Sequence, residues 1–133
     1  PFFQDRFVRV TLQSINKSKD KKRVNLVLLM ENITNNDIWL GFQTKNASLL
    51  GNDGVEWSVI RVSGIEAVYG SNSGKKHYSV FNPGTINTIN ITFHTSRADE
   101  SDETIFSFSC NMFRFVKNPT RFSIGLTDMR ITQ

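Results

Sequence analysis

The segment 106–112 alternates strictly between apolar and polar side chains. Its apolar positions are Phe106, Phe108, Cys110 and Met112, and its polar positions are Ser107, Ser109 and Asn111. A period of two residues is typical of a β-strand that buries one face and exposes the other. Similar segments recur along the chain between turn residues, and no long stretch has a helical period. The sequence therefore predicts an all-β fold.

Eight strands are predicted, and the turns between them indicate how they connect. The strands begin near Arg6, Arg23, Ile38, Val55, Tyr78, Ile86, Thr104 and Phe122. Asp53-Gly54 favours a tight hairpin because glycine adopts positive φ angles easily, and Pro83-Gly84 is a second turn signal. Strands at this spacing are typical of a two-sheet antiparallel Greek-key sandwich of the immunoglobulin-like type. The 133 residues, 1–133, are predicted to form one domain.

Two of the strands change phase along their length. After Met112 the apolar residues Phe113 and Phe115 fall on the opposite side, which predicts a β-bulge near Met112. In the last strand, Met129 is out of phase with Leu126 in the same manner.

Composition and charge exclude several classes of function. The net charge of +4 is modest, and nucleic-acid binding would need that excess gathered on one face, so a nucleic-acid partner is not predicted. The eleven phenylalanines are interpreted as core packing, because Phe has no polar group to orient a ligand. No apolar run approaches the ~18 residues of a membrane span, so this chain is predicted to contain no transmembrane segment.

Residues that could support catalysis or metal binding are sparse. Cys110 is the single cysteine and lies on the apolar side of its strand, where burial is predicted. Neither His77 nor His94 belongs to a nucleophile motif, and no nucleotide-binding or zinc-protease motif occurs. The densest acidic cluster comprises Asp99, Glu100, Asp102 and Glu103. Its spacing does not match an EF-hand, and charges of this kind commonly protect a strand edge. We predict no enzymatic activity, no cofactor and no metal site.

The connection between the first two strands is basic. It carries Lys17, Lys19, Lys21, Lys22 and Arg23. No aromatic side chain is interleaved with these charges, as binding of a single-stranded nucleic acid would favour. Asp20 lies inside this cluster. We interpret the connection as a solvated hairpin loop, with contact to an anionic lipid, polysaccharide or nucleic acid as the alternative.

The longest irregular segment, Ser63 to His77, is the predicted place of recognition. Loops longer than ~12 residues are commonly functional or mobile. The candidate binding residues in and beside it are Tyr69, Lys75, Lys76, His77 and Tyr78. Their rings and charges suit a binding surface.

Three features of the sequence carry a resemblance to a known group of domains. They are Glu31-Asn32 at the end of a long strand, the hairpin Asp53-Gly54-Val55-Glu56-Trp57, and the Pro83-Gly84 turn before a strand that ends at Phe93. In these features the chain resembles the immunoglobulin-like accessory domains of bacterial secreted proteins and lipoproteins. The resemblance implies a β-sandwich without shared catalytic residues, in a periplasmic, secreted or lipid-anchored setting.

The leading functional hypothesis is a non-enzymatic binding or assembly module of the cell envelope or the secreted fraction, with a protein as its main partner. A carbohydrate or an anionic surface is the alternative partner. Two other classes remain open. One is a carbohydrate-binding module that uses Trp39, Tyr69 or Tyr78, and the other is an enzyme with a site near the loop from Ser63 to Tyr78.

Overall fold

The chain is built almost entirely from antiparallel strands. The computed structural model describes residues 1–68, 75–101, 103–115 and 118–131. These residues form nine strands: β1 (Phe2–Gln4), β2 (Val8–Lys17), β3 (Arg23–Asn32), β4 (Ile38–Gly51), β5 (Glu56–Ser63), β6 (Ser79–Phe81), β7 (Ile86–His94), β8 (Ile105–Phe115) and β9 (Pro119–Arg130). One turn of 3-10 helix, Lys75–His77, precedes β6. The predicted all-β fold is therefore confirmed.

The strands form one hydrogen-bonded path that folds into two layers. Their order is β1-β2-β3-β7-β5-β4-β8-β9, and β6 pairs with the free side of β4. β5 joins the layers, because Glu56 to Ser58 pair with β4 while Ser58 to Ser63 pair with β7. One layer thus consists of β1, β2, β3, β7 and β5, and the other of β6, β4, β8 and β9. The predicted two-layer sandwich is confirmed, but its two sheets are continuous through β5.

Large apolar side chains fill the space between the layers. Those with almost no exposed surface include Trp57, Phe42, Phe81, Phe93, Phe106 and Phe108. The ring of Phe93 packs edge-on against that of Phe108, with centroids 5.9 Å apart, so the two layers meet ring to ring. Cys110 is 4% exposed, and burial raises the pKa of its thiol to about 12. Its predicted burial is confirmed.

Strand β4 is longer than predicted. The alternation in the sequence ends at Phe42, but the strand continues to Gly51. Its register against β8 shifts between Gln43 and Ser48, so the polar residues between them bulge out of the ladder. An extra strand, β1, also pairs with β2 near the N-terminus.

The predicted bulge at Met112 is wrong. β8 pairs in unbroken register with β9 from Phe108 to Phe115, so Phe113 simply faces outward. Phe113 is nevertheless buried, because Val68 and Tyr78 cover it in a second small apolar cluster. The phase change at Met129 does correspond to a bulge: the register shifts between Phe106 and Phe108, and Asp128 takes a φ of 56°.

A buried arginine joins the first strands to the second layer. The Arg114 guanidinium lies 3.8 Å from the ring centroid of Phe7 and 4.4 Å from that of Phe122. Its Nη1 also contacts Asp5 Oδ2 at 3.0 Å. Cation–π contacts of this desolvated guanidinium with the two rings link the segment before β2 to strands β8 and β9.

Candidate functional site

A polar groove crosses the outer face of the first layer and is named here the outer groove. It encloses about 540 Å³, within the range of typical ligand sites. The lining residues are Asn16, Lys17, Ser18, Arg23, Asn25, Arg61, Ser63, Asn90 and Thr92. All nine are polar or charged, so the groove differs sharply in chemistry from the core beneath it.

The strand register places the groove residues side by side. Asn16 of β2 is opposite Asn25 of β3, Asn25 is opposite Thr92 of β7, and Thr92 is opposite Arg61 of β5. This row spans three inter-strand spacings, or about 14 Å. Asn90 and Ser63 form the adjacent pair on the same face. Four neighbouring strands therefore contribute hydrogen-bonding side chains to one continuous surface.

A β-bulge in β2 turns Asn16 outward. The register against β3 shifts between Leu12 and Ser14, so one extra residue enters β2 there. Before the shift Val8 and Val10 point inward, and after it Ile15 is the buried residue. Without the extra residue the alternation would direct Asn16 into the core and Lys17 out of it.

A second bulge, in β5, turns Arg61 outward. Trp57 faces the core, and strict alternation from it would also direct Arg61 inward. The register against β7 shifts between Val59 and Arg61, which leaves Ile60 as the extra residue and pairs Arg61 with Thr92. Bulges re-aim side chains next to functional sites in many sheets. Here they place the residues at both ends of the polar row.

The groove has a positive electrostatic character. Within the described residues no carboxylate lines it. The guanidinium groups of Arg23 and Arg61 form no ion pair with another described residue, and both residues are exposed. Exposed Lys19 and Lys22 lie on the hairpin at one end of the groove. The exposed Asp20 carboxylate on this hairpin also interacts electrostatically with Arg23 and Lys22, but the cationic groups outnumber it. An anion entering the groove would thus meet an excess of positive charge.

Lys17 does not belong to a solvated loop, contrary to expectation. Its side chain is 2% exposed, and its Nζ lies 3.0 Å from Oδ2 of Asp99, whose side chain is 5% exposed. The same Nζ donates to the backbone oxygens of Asp99 and Ser101. Burial alone would raise the pKa of Asp99, but hydrogen bonds from Lys17 and the Ser101 amide, with the Lys17 charge, lower it below 3.8.

The rest of the basic hairpin is also ordered by hydrogen bonds. The Ser18 amide donates to Arg23 O at 2.9 Å, and Ser18 Oγ accepts from the Arg23 amide at 3.0 Å. Lys21 takes a φ of 63°, and its carbonyl accepts from the Asp99 amide at 2.9 Å. This end of the groove is fixed by packing onto the β7–β8 connection, which preorganises its side chains.

Of the five residues that the sequence singled out, Lys76, His77 and Tyr78 lie away from the outer groove. Tyr69 and the side chain of Lys75 lie outside the described residues, while Lys76 and His77 are exposed on the 3-10 turn. Tyr78 is only 6% exposed, and burial raises its pKa. Its ring packs edge-on against Phe115 at 6.0 Å, so Tyr78 anchors this turn to the outer face of the second layer. The turn and the outer groove are thus on opposite layers.

The structure adds little support to the alternative sites that were named from the sequence. Trp39 is partly buried against the same small cluster as Tyr78. His94 is paired in register with Ser58, but no hydrogen bond joins their side chains in the described part of the chain. Residues 1–68, 75–101, 103–115 and 118–131 contain no group of three or more His, Cys, Asp or Glu that could hold a metal ion. Among them there is also no helix with the length and apolarity to cross a membrane.

The outer groove was missed because its two end residues depend on bulges. The polar side of β7, with Asn90 and Thr92, was visible as alternation in the sequence. Arg61 was a second signal in the sequence, because alternation from Trp57 places it on the inward side of its strand. An arginine at such a position needs either a buried partner or a bulge that turns it outward.

Comparison with known proteins gives similarity at the level of structure alone. No protein-family model and no curated protein sequence matches this chain. The GAE domain of yeast GGA1 shares 14% identity, with 94% of each chain covered and a TM-score of 0.46. An uncharacterized β-sandwich protein from Clostridium difficile 630 shares 10% identity over 96% of this chain and 90% of that one, with a TM-score of 0.47. MyfA, the major subunit of Myf fimbriae from Yersinia enterocolitica, shares 14% identity over 94% and 98%, with a TM-score of 0.45.

Proposed function

We propose that this chain is a non-enzymatic binding module that recognises an anionic ligand through the outer groove. The observation that carries the proposal is that Arg23 and Arg61, neither of which forms an ion pair with a described carboxylate, line one groove together with polar residues. Guanidinium groups form strong, planar, bidentate hydrogen bonds with carboxylates. The asparagine amides between them supply both donors and acceptors for the rest of a ligand.

The construction of the groove supports a binding role over a purely structural one. Two bulges interrupt β2 and β5, and each leaves a residue out of the ladder. Their result is to bring Asn16 and Arg61 to the surface beside Asn25 and Thr92. Bulges are over-represented next to functional sites, where they re-aim a side chain. An extracytoplasmic setting remains part of the proposal, on the resemblance described above.

Retention on a carboxymethyl resin tests the proposal without assuming what the ligand is. A double variant, Arg23→Gln with Arg61→Gln, is expected to elute at clearly lower salt than the wild-type protein, because it removes the converging cations. The matched control is Lys45→Gln with Arg121→Gln, two exposed residues on the other layer. Both variants lose two charges, so net charge alone predicts equal shifts.

A larger shift for the groove variant than for the control supports the outer groove as an anion-binding surface. Equal shifts would mean that the resin senses only net charge, and the proposal would then fail. Thermal midpoints of both variants should stay close to that of the wild type, since exposed side chains away from the core rarely change stability by more than about 0.5 kcal/mol.

A second candidate surface is the turn that carries Lys76 and His77. The observation in its favour is that buried Tyr78 fixes two exposed, polar side chains on the outer face of the second layer. A protein partner docking on this turn, together with Tyr69 and Lys75, would make the chain an assembly module. Deleting residues 72–76 should then abolish capture of that partner while leaving the thermal midpoint nearly unchanged.

A further inference from the structure

We infer that the anionic ligand of the outer groove is a carboxylated polysaccharide, that is, a polymer of sugars that bears uronic acid groups. This inference rests on the proposed function and names the ligand class for the same site. Three properties of the groove support it: its mixture of hydrogen-bonding groups, its lack of apolar and aromatic lining, and its positive charge.

The hydrogen-bonding groups of the groove match the hydroxyl groups of a sugar. A sugar hydroxyl both donates and accepts, and so do the side chains of Asn16, Asn25 and Asn90, each of which offers an amide NH₂ and a carbonyl oxygen. Ser63 adds a hydroxyl group of the same dual character. The hydroxyl of Thr92 donates to Asn25 Oδ1 at 3.5 Å, and that of Ser18 is used by Asp20 and the Arg23 amide, so these two are less available to a ligand. A surface intended for a simple anion would need donors only, so the acceptors here indicate a ligand that also donates hydrogen bonds.

The residue types that are absent from the lining of the groove argue against other polymers. No aromatic ring lines the groove, whereas proteins that bind single-stranded nucleic acids stack bases on such rings. No aliphatic side chain lines it either, so there is no pocket for the apolar or aromatic anchor that dominates most protein interfaces. Neutral sugars are commonly held by stacking on aromatic rings, which the groove also lacks. Binding energy must therefore come from charge-assisted hydrogen bonds, which require the sugar to carry acid groups.

The dimensions of the groove suit a short stretch of chain. The cationic groups belong to β3 and β5, which are separated by β7, so their backbones lie two strand spacings, or about 10 Å, apart. Acid groups repeated along a polysaccharide can reach both arginines, while the hydroxyl groups between them face Asn90 and Thr92.

Calorimetric titration with three defined probes tests the inference. The probes are an oligogalacturonate, its methyl ester and an oligoglutamate with the same number of carboxylates. The oligogalacturonate is expected to bind at least about tenfold more tightly than the methyl ester, because a charge-assisted hydrogen bond contributes more than a neutral one. The Arg23→Gln, Arg61→Gln variant should lose this preference, while the Lys45→Gln, Arg121→Gln variant keeps it.

A further variant separates hydrogen bonding from charge. Replacing exposed Asn25 with Ala should weaken the acid and its ester by the same factor, because the amide faces hydroxyl groups that both probes carry. If oligoglutamate binds as tightly as oligogalacturonate, or if oligogalacturonate does not bind, the polysaccharide assignment is overturned. The resin experiment tests the anion-binding function separately. Equal shifts of the two double variants in that experiment would overturn the anion-binding function as well.

Discussion

Replacing Lys17 with Met is expected to lower the free energy of unfolding by about 3–5 kcal/mol, because it leaves a buried carboxylate without its cation. The Asp99 side chain is only 5% exposed, and its Oδ2 lies 3.0 Å from the Lys17 Nζ. The same change removes the donor to the carbonyl oxygens of Asp99 and Ser101, which hold the hairpin against the β7–β8 connection. Urea unfolding followed by circular dichroism measures the loss.

The control for this prediction lies two residues away. Lys19 is exposed on the same hairpin, so Lys19→Met should change the free energy of unfolding by no more than about 0.5 kcal/mol. A combined Lys17→Met, Asp99→Asn variant should be more stable than the sum of the two single changes predicts, because it removes the unpaired charge. Equal effects of Lys17→Met and Lys19→Met would show that the ion pair is not buried.

The dependence of stability on pH gives an independent check of the same pair. The pKa of Asp99 in the folded protein lies below its usual value of 3.8, so the unfolded chain binds this proton more readily. The stabilisation is therefore fully present above pH 3.8 and is lost as the pH falls through the lower, folded value. The difference in stability between the wild type and Asp99→Asn should shrink in that range, and a difference that does not change with pH would contradict the assignment.

Replacing Phe108 with Ala should cost about 3–5 kcal/mol, through lost burial and the cavity that remains. Phe108 is 2% exposed, lies in the middle of β8 and packs against Phe93 of the facing layer. The backbone of β8 cannot shift far to fill this cavity, because β8 is paired on both sides, with β4 and with β9. The chain should remain folded but unfold at a much lower urea concentration.

The adjacent residue provides the reference for this prediction. Ser109 is exposed on the opposite face of β8, so Ser109→Ala should leave the free energy of unfolding within about 0.5 kcal/mol. A small loss for Phe108→Ala, or a large one for Ser109→Ala, would show that the inward and outward faces of β8 are reversed.

The alternation of the sequence was sufficient to predict the sandwich and most of its core. Phe106, Phe108 and Cys110 face inward as their period of two requires, and Gly54 and Gly84 take positive φ angles in the turns assigned to them. These features are local, since each depends on a few neighbouring residues. They could therefore be predicted without knowledge of which strands pair.

The candidate site could not be predicted in this way because it depends on pairing between distant strands. The bulges at Gln13 and Ile60 exist only relative to partner strands β3 and β7, and they reverse the faces of Asn16, Lys17 and Arg61. The burial of Lys17 has the same origin. The burial of Tyr78 could not be predicted for a related reason: the outward face of β8 carries Phe113, and Tyr78 covers it.

Chemical-shift mapping with a short oligogalacturonate tests the central claim most directly, because it locates binding on the chain. The amides of Asn16, Asn25, Arg61 and Asn90 are expected to shift together as the probe is added, and the Arg23→Gln, Arg61→Gln variant should lose these shifts. The amides of the turn 75–77 should remain unchanged. Shifts concentrated at that turn, or groove shifts that persist in the double variant, would contradict the outer groove as the binding site.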